Sequence, residues 1–227
     1  MFHEITDPHM TAILDSPAAP AIVTRLQKTL ELERHRRQEF YLDIDDDMKV
    51  EFINGEVVMH SPVKKEHTDA IGFLYLLLSP FVRLAKLGYV GYKKVLIALT
   101  RNDYEPDVLF FDAEKAASFQ KGQWKYPAPD FVVEVLSAST EERDRGIKFQ
   151  DYEAHGVREY WIIDPDEESV EQYLLQGDKY RLHLKARQGY IESAVVKGFR
   201  IDIRAIFEEE ANLVALRGIL HGGQADE

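Results

Sequence analysis

Short runs of apolar residues, alternating with polar ones or rich in β-branched side chains, recur along the chain and predict strands. The predicted strands are residues 49–53, 56–60, 89–99, 106–111, 130–136, 159–163, 170–175, 179–184 and 194–196. Apolar residues at helical spacing predict helices at residues 21–40, 63–86, 141–155 and 203–216. Asn54 and Gly55, between the first two strands, predict a tight hairpin turn, and Pro80 is expected to kink or split the second helix. This order of elements predicts an α/β or α+β fold in which helices flank a mixed sheet.

The same pattern suggests how the chain is divided. Residues 1–20 contain three prolines and have no periodicity, so we expect an extended N-terminal arm. Residues 21–220 are expected to form a single domain, since 227 residues suffice for one sizeable core and no internal repeat is apparent. Residues 221–227 are polar or small and are expected to form a frayed tail.

Composition limits the kinds of site and compartment. The chain has no cysteine, which excludes disulfides, thiolate zinc sites and a cysteine nucleophile. No apolar run approaches the roughly 20 residues that cross a bilayer, and the N-terminus lacks the pattern of a secretory signal, so we expect a cytoplasmic protein. Glycine-rich phosphate loops are also missing from the sequence. The formal net charge of −12 argues against tight non-specific DNA binding, because neutralisation of phosphates supplies much of such affinity.

Two acidic residues stand in predicted strands. Glu134 lies within the apolar run FVVEVL, where a buried carboxylate is costly unless it is paired or binds a metal. Asp107 follows Pro106 at the start of another apolar strand, a position that is also typical of a turn or strand cap. On neighbouring strands the two carboxylates would offer the hard oxygen ligands that Mg²⁺ or Mn²⁺ prefers. An ion pair between Glu134 and a basic residue is the alternative.

Lys148 lies in the helix predicted after the Glu134 strand. Asp144, Asp151 and Tyr152 are three or four residues away and share its side of the helix. A cation at this position could orient the attacking water and stabilise charge on a phosphoryl transition state. The alternative is a solvated helix face with ordinary surface ion pairs.

Four stretches of the sequence together resemble a known family. They are VEFINGEVVMHSP, PDVLFF, PDFVVEVLSAST and RDRGIKFQDYEAHGVREYWIIDP, in this order. The set is similar to the Uma-type group of endonucleases within the PD-(D/E)XK nuclease superfamily, which includes many restriction enzymes. The resemblance covers about residues 40–185. It implies a restriction-endonuclease-like fold.

The resemblance also implies roles for individual residues. Asp107 matches the superfamily's first metal-binding acid and Glu134 the second, and the backbone carbonyl of Val135 is expected to complete the metal's inner shell. The superfamily's lysine normally stands two residues after the second acid, but that position is Leu136 here. In the Uma-type group the lysine is displaced to the next helix, and Lys148 fits that place.

Two further residues are candidates for auxiliary roles. Glu51, from the first hairpin, is expected to be an additional acid near the metal, or else an exposed residue of a half-exposed strand. His67, near the start of a long helix, could contact a phosphate or assist proton transfer, although a lone histidine is more often a capping or packing residue. The basic residues that could offset the acidic background are Lys64, Lys65, Lys93, Lys94, Arg101, Arg143 and Arg145.

The sequence thus predicts a metal-dependent endonuclease that hydrolyses phosphodiester bonds, with DNA as the expected substrate and Mg²⁺ or Mn²⁺ as the cofactor. Such folds commonly act as dimers on duplex DNA, so a homodimer is expected by analogy, and no membrane partner is expected. Two alternatives remain open. One is a non-catalytic nucleic-acid-binding or regulatory protein that keeps the nuclease fold, and the other is a metal-dependent hydrolase of another phosphate ester.

Overall fold

The computed structural model describes residues 8–44 and 49–222. Its α-helices are α1 (Pro8–Leu14), α2 (Ala19–Asp43), α3 (Lys65–Leu84), α4 (Ala113–Ala116), α5 (Glu141–Arg145), α6 (Ile147–Ala154) and α7 (Glu209–Leu220), and a 3-10 helix spans Ile203–Ile206. Its strands are β1 (Val50–Ile53), β2 (Glu56–Met59), β3 (Gly88–Tyr92), β4 (Leu96–Ala98), β5 (Asp103–Tyr104), β6 (Val108–Asp112), β7 (Lys125–Tyr126), β8 (Phe131–Val135), β9 (Glu159–Asp164), β10 (Ser169–Gln176), β11 (Lys179–Ala186), β12 (Tyr190–Glu192) and β13 (Arg200–Asp202). None of the helices in these two ranges combines the length and the apolar character that crossing a bilayer requires.

A six-stranded sheet is the centre of the fold, with its strands in the order β11-β10-β9-β8-β6-β3. Strands β8 and β9 are parallel, whereas the other neighbours in this sheet are antiparallel. A second sheet has the order β2-β1-β5-β4-β7, and β12 pairs with β13. This mixed sheet with flanking helices confirms the predicted fold class.

Helices cover both faces of the six-stranded sheet. On one face, Leu74 of α3 belongs to the same buried cluster as Trp161 of β9. On the other face, Tyr152 of α6 packs edge-on against Tyr160 of β9, with ring centroids 5.3 Å apart. Because side chains alternate along a strand, the valines on either side of Glu134 in β8 point towards α3, and Glu134 itself points towards α6.

The predicted hairpin forms between β1 and β2. Its turn residues, Asn54 and Gly55, both have positive φ angles of 51° and 86°, as a type I′ turn requires. The turn sets the register, in which Glu51 pairs with Val58. Glu51 and Ile53 therefore share one face of β1, and Ile53 joins the buried cluster that contains α6.

The expected extended arm is wrong for residues 8–20, which form α1, a turn and the start of α2. Pro8 begins α1 and Pro20 is the second residue of α2. Proline is tolerated there because the first N–H groups of a helix have no intrahelical partner. Residues 1–7 of the predicted arm lie outside the described residues. The division of the chain into arm, domain and tail stays a prediction.

Two predicted elements are each divided in two. The expected strand at residues 89–99 is β3 followed by β4, which lie in different sheets, and Lys93 between them has a left-handed φ of 49°. The expected helix at residues 141–155 is α5 followed by α6. It is interrupted at Gly146, where a Cβ atom would lie 2.6 Å from the carbonyl oxygen of Glu142.

The C-terminal part also differs from the prediction. The expected strand at residues 194–196 is wrong, because these residues form the loop between β12 and β13. Val196 is fully buried, and its N–H donates to the Ser193 hydroxyl oxygen at 2.8 Å. The expected helix at residues 203–216 is a 3-10 helix followed by α7. Helix α3 continues through Pro80, so it is not split there.

Candidate active site

Glu134 in β8 is almost fully buried. Its Oε1 atom accepts hydrogen bonds from Lys148 Nζ at 3.1 Å and from the Tyr152 hydroxyl at 2.7 Å. Its Oε2 atom receives no hydrogen bond from the part of the chain that the structure describes. Burial raises the pKa of Glu134 to about 8, and the nearby carboxylates of Asp144 and Asp107 act in the same direction while Lys148 opposes them.

Lys148 in α6 is 1% exposed and contacts three carboxylates, so the alternative of a solvated helix face is wrong. Its ammonium lies 2.9 Å from Glu51, 3.1 Å from Glu134 and 3.1 Å from Asp144. Burial by itself would lower the pKa of Lys148, but the three carboxylates outweigh burial and raise it well above its ordinary value. Lys148 is therefore held as a permanent cation.

Glu51 is fully buried, which excludes the exposed-hairpin alternative. Its Oε1 atom accepts from the Glu105 N–H at 3.0 Å and lies 2.9 Å from Lys148, while Oε2 lies 3.1 Å from His60 Nε2. Burial raises the pKa of Glu51, but Lys148 and then His60 outweigh it and bring the pKa down to about 2. Glu51 is a carboxylate at any physiological pH.

Asp107, just before β6, is also buried. Its Oδ1 atom accepts from Lys49 Nζ at 2.7 Å, and its Oδ2 atom accepts from the Val135 N–H at 2.9 Å. His67 Nε2 lies 3.7 Å from Oδ2. Burial raises the pKa of Asp107, but Lys49 and then His67 outweigh it, so the pKa is lowered.

The strand register brings Asp107 level with Glu134. The pairing of β6 with β8 ends at Val108 and Val133, and Asp107 and Glu134 are the next residues along the two chains. The Val135 N–H, directly after Glu134, donates to Asp107 Oδ2 at 2.9 Å. Both side chains line one cleft, as a shared cation would require.

His67, in the first turn of α3, faces the same cleft. It is 6% exposed, and its Nδ1 atom is buried without a hydrogen bond. Burial lowers the pKa of His67, although Asp107 opposes this effect. A buried polar atom without a partner is costly, and its position in the cleft wall makes it available to a ligand.

The cleft has a volume of about 370 Å³, and its charged lining residues are Asp107, Glu134, Asp144, Lys49, Lys93 and Lys148. Four buried carboxylates, Glu51, Asp107, Glu134 and Asp144, surround two lysines, Lys49 and Lys148. With neutral histidines, this set carries two more negative than positive charges. A divalent cation would neutralise the excess, and the raised pKa values of Glu134 and Asp144 are the protein's response without one.

The donor set fits a hard divalent cation. Within residues 8–44 and 49–222, no three acidic or imidazole side chains are arranged as a ready-made metal site. Mg²⁺, however, is usually held by one or two carboxylates, water and substrate phosphates rather than by a cage of protein ligands. Asp107, Glu134 and the Val135 carbonyl could supply the protein's share.

Sequence reasoning missed two neighbours of the acids, Lys49 and His60. The hairpin turn could have revealed His60, because the register pairs Glu51 with Val58 and puts His60, two residues further along, on the same face as a diagonal neighbour of Glu51. Lys49 was not detectable, since it contacts a carboxylate 58 residues away in the sequence.

Most of the predicted basic residues lie elsewhere. Four of them pair with carboxylates outside the cleft: Lys64 with Asp166, Lys65 with Asp69, Arg101 with Glu33, and Arg145 with Glu141 and Glu171. Arg143 donates to the Ser139 carbonyl oxygen at 2.8 Å. Lys93 lines the cleft, and Lys94 follows it.

Comparisons with known proteins agree with this architecture. The chain matches the Uma2 family, described as "Putative restriction endonuclease", over residues 33–204. It is also similar to a crystal structure of "a putative nuclease belonging to DUF820" from Anabaena variabilis ATCC 29413, with a TM-score of 0.64 and 17% sequence identity. That match covers 75% of this chain and 96% of the other, and it shows the shared fold. No curated protein matches the chain.

The family match extends over most of the chain and includes Glu51, Asp107, Glu134 and Lys148. It confirms the resemblance that the sequence motifs indicated. The chain belongs to the Uma2 family, whose description is "Putative restriction endonuclease".

Proposed function

We propose that the chain is a divalent-metal-dependent endonuclease that hydrolyses phosphodiester bonds, with DNA as the substrate and Mg²⁺ or Mn²⁺ as the cofactor. The observation that carries the proposal is the cluster of four buried carboxylates around Lys49 and Lys148, which extends from the wall of an open cleft to the fully buried Glu51. Burying unpaired charge is costly, so a fold that keeps it is expected to bind a cation there.

Asp107, Glu134 and the carbonyl of Val135 would hold the cation. When bound, the cation supplies Lewis-acid activation of the scissile phosphate and of the attacking water. Tyr152 and Lys148 both donate to Oε1 of Glu134, which orients the carboxylate and leaves Oε2 directed away from these donors.

Lys148 contributes a fixed positive charge next to the acids. Burial would lower its pKa, but its three carboxylate neighbours raise the pKa well above the ordinary value, which favours the charged form and a role as a fixed cation. It can stabilise charge that develops on the phosphate and can fix the positions of Glu51 and Glu134. Leu136, at the position of the superfamily's lysine, is buried in an apolar cluster. The positive charge near the phosphate would therefore come from Lys148 of α6.

The test combines Mn²⁺ titration by calorimetry with nicking of supercoiled plasmid. We expect wild type to bind Mn²⁺ and to nick the plasmid, and Glu134→Gln and Asp107→Asn to lose both properties. Glu192→Gln, which changes an exposed glutamate of β12, is the matched control and should behave as wild type. A wild-type protein that binds no divalent cation at millimolar concentration would exclude the catalytic proposal.

A second candidate is a non-catalytic nucleic-acid-binding protein with this fold. The ion pair of Lys49 with Asp107 Oδ1 favours it, because both oxygens of Asp107 already have protein partners. Such a protein would bind an oligonucleotide equally well with and without Mn²⁺ and would not cleave it.

The homodimer stays a prediction. Helix α2 spans 25 residues and buries only Phe40 among them, while Val23, Leu26 and Leu30 are exposed. Light scattering coupled to gel filtration measures the mass directly, and a monomer at micromolar concentration would contradict the prediction.

A further inference from the structure

An exposed aromatic residue, Tyr92, directly precedes Lys93, which lines the cleft. Tyr92 is the last residue of β3 and is 45% exposed. Its ring packs against that of Tyr75 from α3 in a tilted arrangement, with centroids 4.0 Å apart and planes inclined by 30°. Tyr75 thus supports one face of the ring, and the exposed part of Tyr92 remains available to another flat group.

Strand pairing places the backbone of Tyr92 close to Asp107 and its side chain on the α3 face of the sheet. Tyr92 is the partner of Val108, the residue directly after Asp107. The next residue, Lys93, donates its N–H to the Asp107 carbonyl oxygen at 3.0 Å and lines the cleft. The ring and the ammonium are therefore tied through the backbone to a proposed metal ligand.

Helix α3 connects the ring to the cleft from the other side. His67, Ile71 and Tyr75 are four residues apart and so lie on one face of the helix. His67 and Ile71 line the cleft. Tyr75 continues this wall by one helical turn, and Tyr92 rests on it.

Lys93 has the properties of a phosphate contact. Its φ of 49° is unusual for a residue other than glycine, and such conformations concentrate at functional sites. Among the described residues, neither Lys93 nor Lys94 forms an ion pair with a carboxylate, unlike four of the other five basic residues singled out in the sequence. Lys93 thus lines the cleft without a carboxylate partner among the described residues.

We propose that Tyr75, Tyr92 and Lys93 form a platform that receives an unpaired nucleotide of the substrate, with its base stacked on Tyr92 and its phosphate at Lys93. The bases of a duplex are already stacked on each other, so a single exposed ring can receive only an unpaired or displaced base. Stacking also supplies affinity that a chain of net charge −12 cannot obtain from phosphate neutralisation alone. The inference rests on the proposed function, since it takes the cleft as a nucleic-acid site.

Equilibrium binding tests the platform without cleavage. Fluorescence anisotropy would follow a labelled oligodeoxynucleotide of about 12 nucleotides, within the usual site size of single-strand-binding surfaces, in EDTA. The same strand annealed to its complement is the duplex probe. We expect the single strand to bind more tightly than the duplex.

Three variants and a control separate the contributions. Tyr92→Ala should weaken single-strand binding about 5- to 150-fold, the range expected for the loss of one base–aromatic stack, whereas Tyr92→Phe keeps the ring and should stay within about twofold of wild type. Lys93→Ala should lower the slope of log affinity against log salt by about 0.7. Tyr190→Ala removes a tyrosine that is 59% exposed on β12, outside the cleft lining, and should bind as wild type does.

Several outcomes would overturn the platform. They are equal binding by wild type and Tyr92→Ala, tighter binding of the duplex, and no binding of either probe by wild type. Thermal unfolding of Tyr92→Ala close to that of wild type ensures that a loss of binding is not a loss of fold.

Plasmid nicking with Mn²⁺ distinguishes failure of the platform from failure of the proposed function. Nicking that depends on Glu134, together with normal oligonucleotide binding by Tyr92→Ala, refutes the platform alone. Single-strand binding that depends on Tyr92, without any nicking by wild type, refutes the catalytic proposal and leaves the platform supported.

Discussion

Replacing Glu134 by glutamine is expected to stabilise the metal-free protein, although the substitution removes a buried charged group. Glutamine has the shape of glutamate, and its carbonyl oxygen can still accept from Lys148 and Tyr152 as Oε1 does now. The change replaces a carboxyl whose pKa burial raises to about 8 with a neutral group, in a cluster where four carboxylates surround two lysines. The substitution therefore removes the cost of protonating or ionising that carboxyl without opening a cavity.

The magnitude follows from the pKa of Glu134, which burial raises from its ordinary 4.5 to about 8. The folded protein thus binds this proton more tightly than the unfolded chain does. Stability from this group is fully present below pH 4.5 and is lost as the pH rises through about 8. At pH 7 the loss amounts to about 3 kcal/mol. Because a buried amide keeps part of the desolvation cost, we expect Glu134→Gln to recover about 2 kcal/mol.

Urea unfolding at pH 5 and pH 8, in EDTA and in Mn²⁺, measures the effect. In EDTA the advantage of Glu134→Gln over wild type should be larger at pH 8 than at pH 5, since the wild-type carboxyl must ionise only at the higher pH. Mn²⁺ at about 100 times its dissociation constant should stabilise wild type by about 2.7 kcal/mol and leave the variant unchanged.

The contrary result is equally clear. If Glu134→Gln is less stable than wild type in EDTA at both pH values, then Glu134 is a structural ion-pair partner of Lys148. In that case the excess negative charge of the buried carboxylate cluster would not indicate a cation site. The reasoning would be wrong even if the family fold is right.

Three further substitutions test other contacts. Lys148→Met leaves the carboxylates of Glu51, Glu134 and Asp144 buried without a cation. It should lower the free energy of unfolding, measured in urea, by about 3 to 5 kcal/mol. A loss below about 1 kcal/mol would contradict the buried ion-pair geometry. Lys49→Met frees Oδ1 of Asp107 and removes a positive charge from the cleft. Calorimetry should therefore find Mn²⁺ bound at least about tenfold more tightly. Weaker binding would mean that Lys49 helps to position Asp107. Arg37→Ala removes a bidentate hydrogen-bonded ion pair with the buried Asp103 and should lower the free energy of unfolding by about 3 kcal/mol. The Mn²⁺ affinity of this variant, measured by the same titration, should equal that of wild type.

Local sequence signals predicted those elements whose conformation depends on near neighbours. The hairpin at Asn54 and Gly55 follows from turn residues that adopt positive φ, and β8 follows from its β-branched apolar run. The break at Lys93 could not be predicted, because nothing in the residue type requires a left-handed conformation there. The prolines of the N-terminal segment were misleading, since the first turn of a helix and an extended arm accept proline equally well.

Candidate residues could be named from the sequence, but their partners could not. Asp144 lies one helical turn before Lys148, and the sequence therefore indicated that the two share a side of the helix. That Glu51 also contacts Lys148 requires the hairpin to pack against α6. The ring contact between Tyr92 and Tyr75 likewise could not be predicted, because it depends on the packing of an edge strand against a helix on one face of the sheet.

The sequence alone indicated that Glu134 would lie in a buried strand, that Asp107 would stand at the start of another, and that the chain resembles the Uma-type nucleases. Those features depend on alternation along a strand and on the order of motifs, which a sequence contains directly. Only the tertiary structure decided that Lys49 would form an ion pair with Asp107 and that Lys148 would contact three carboxylates. These contacts join elements that are distant in sequence, and the packing of the sheet against its helices is what brings their charges together.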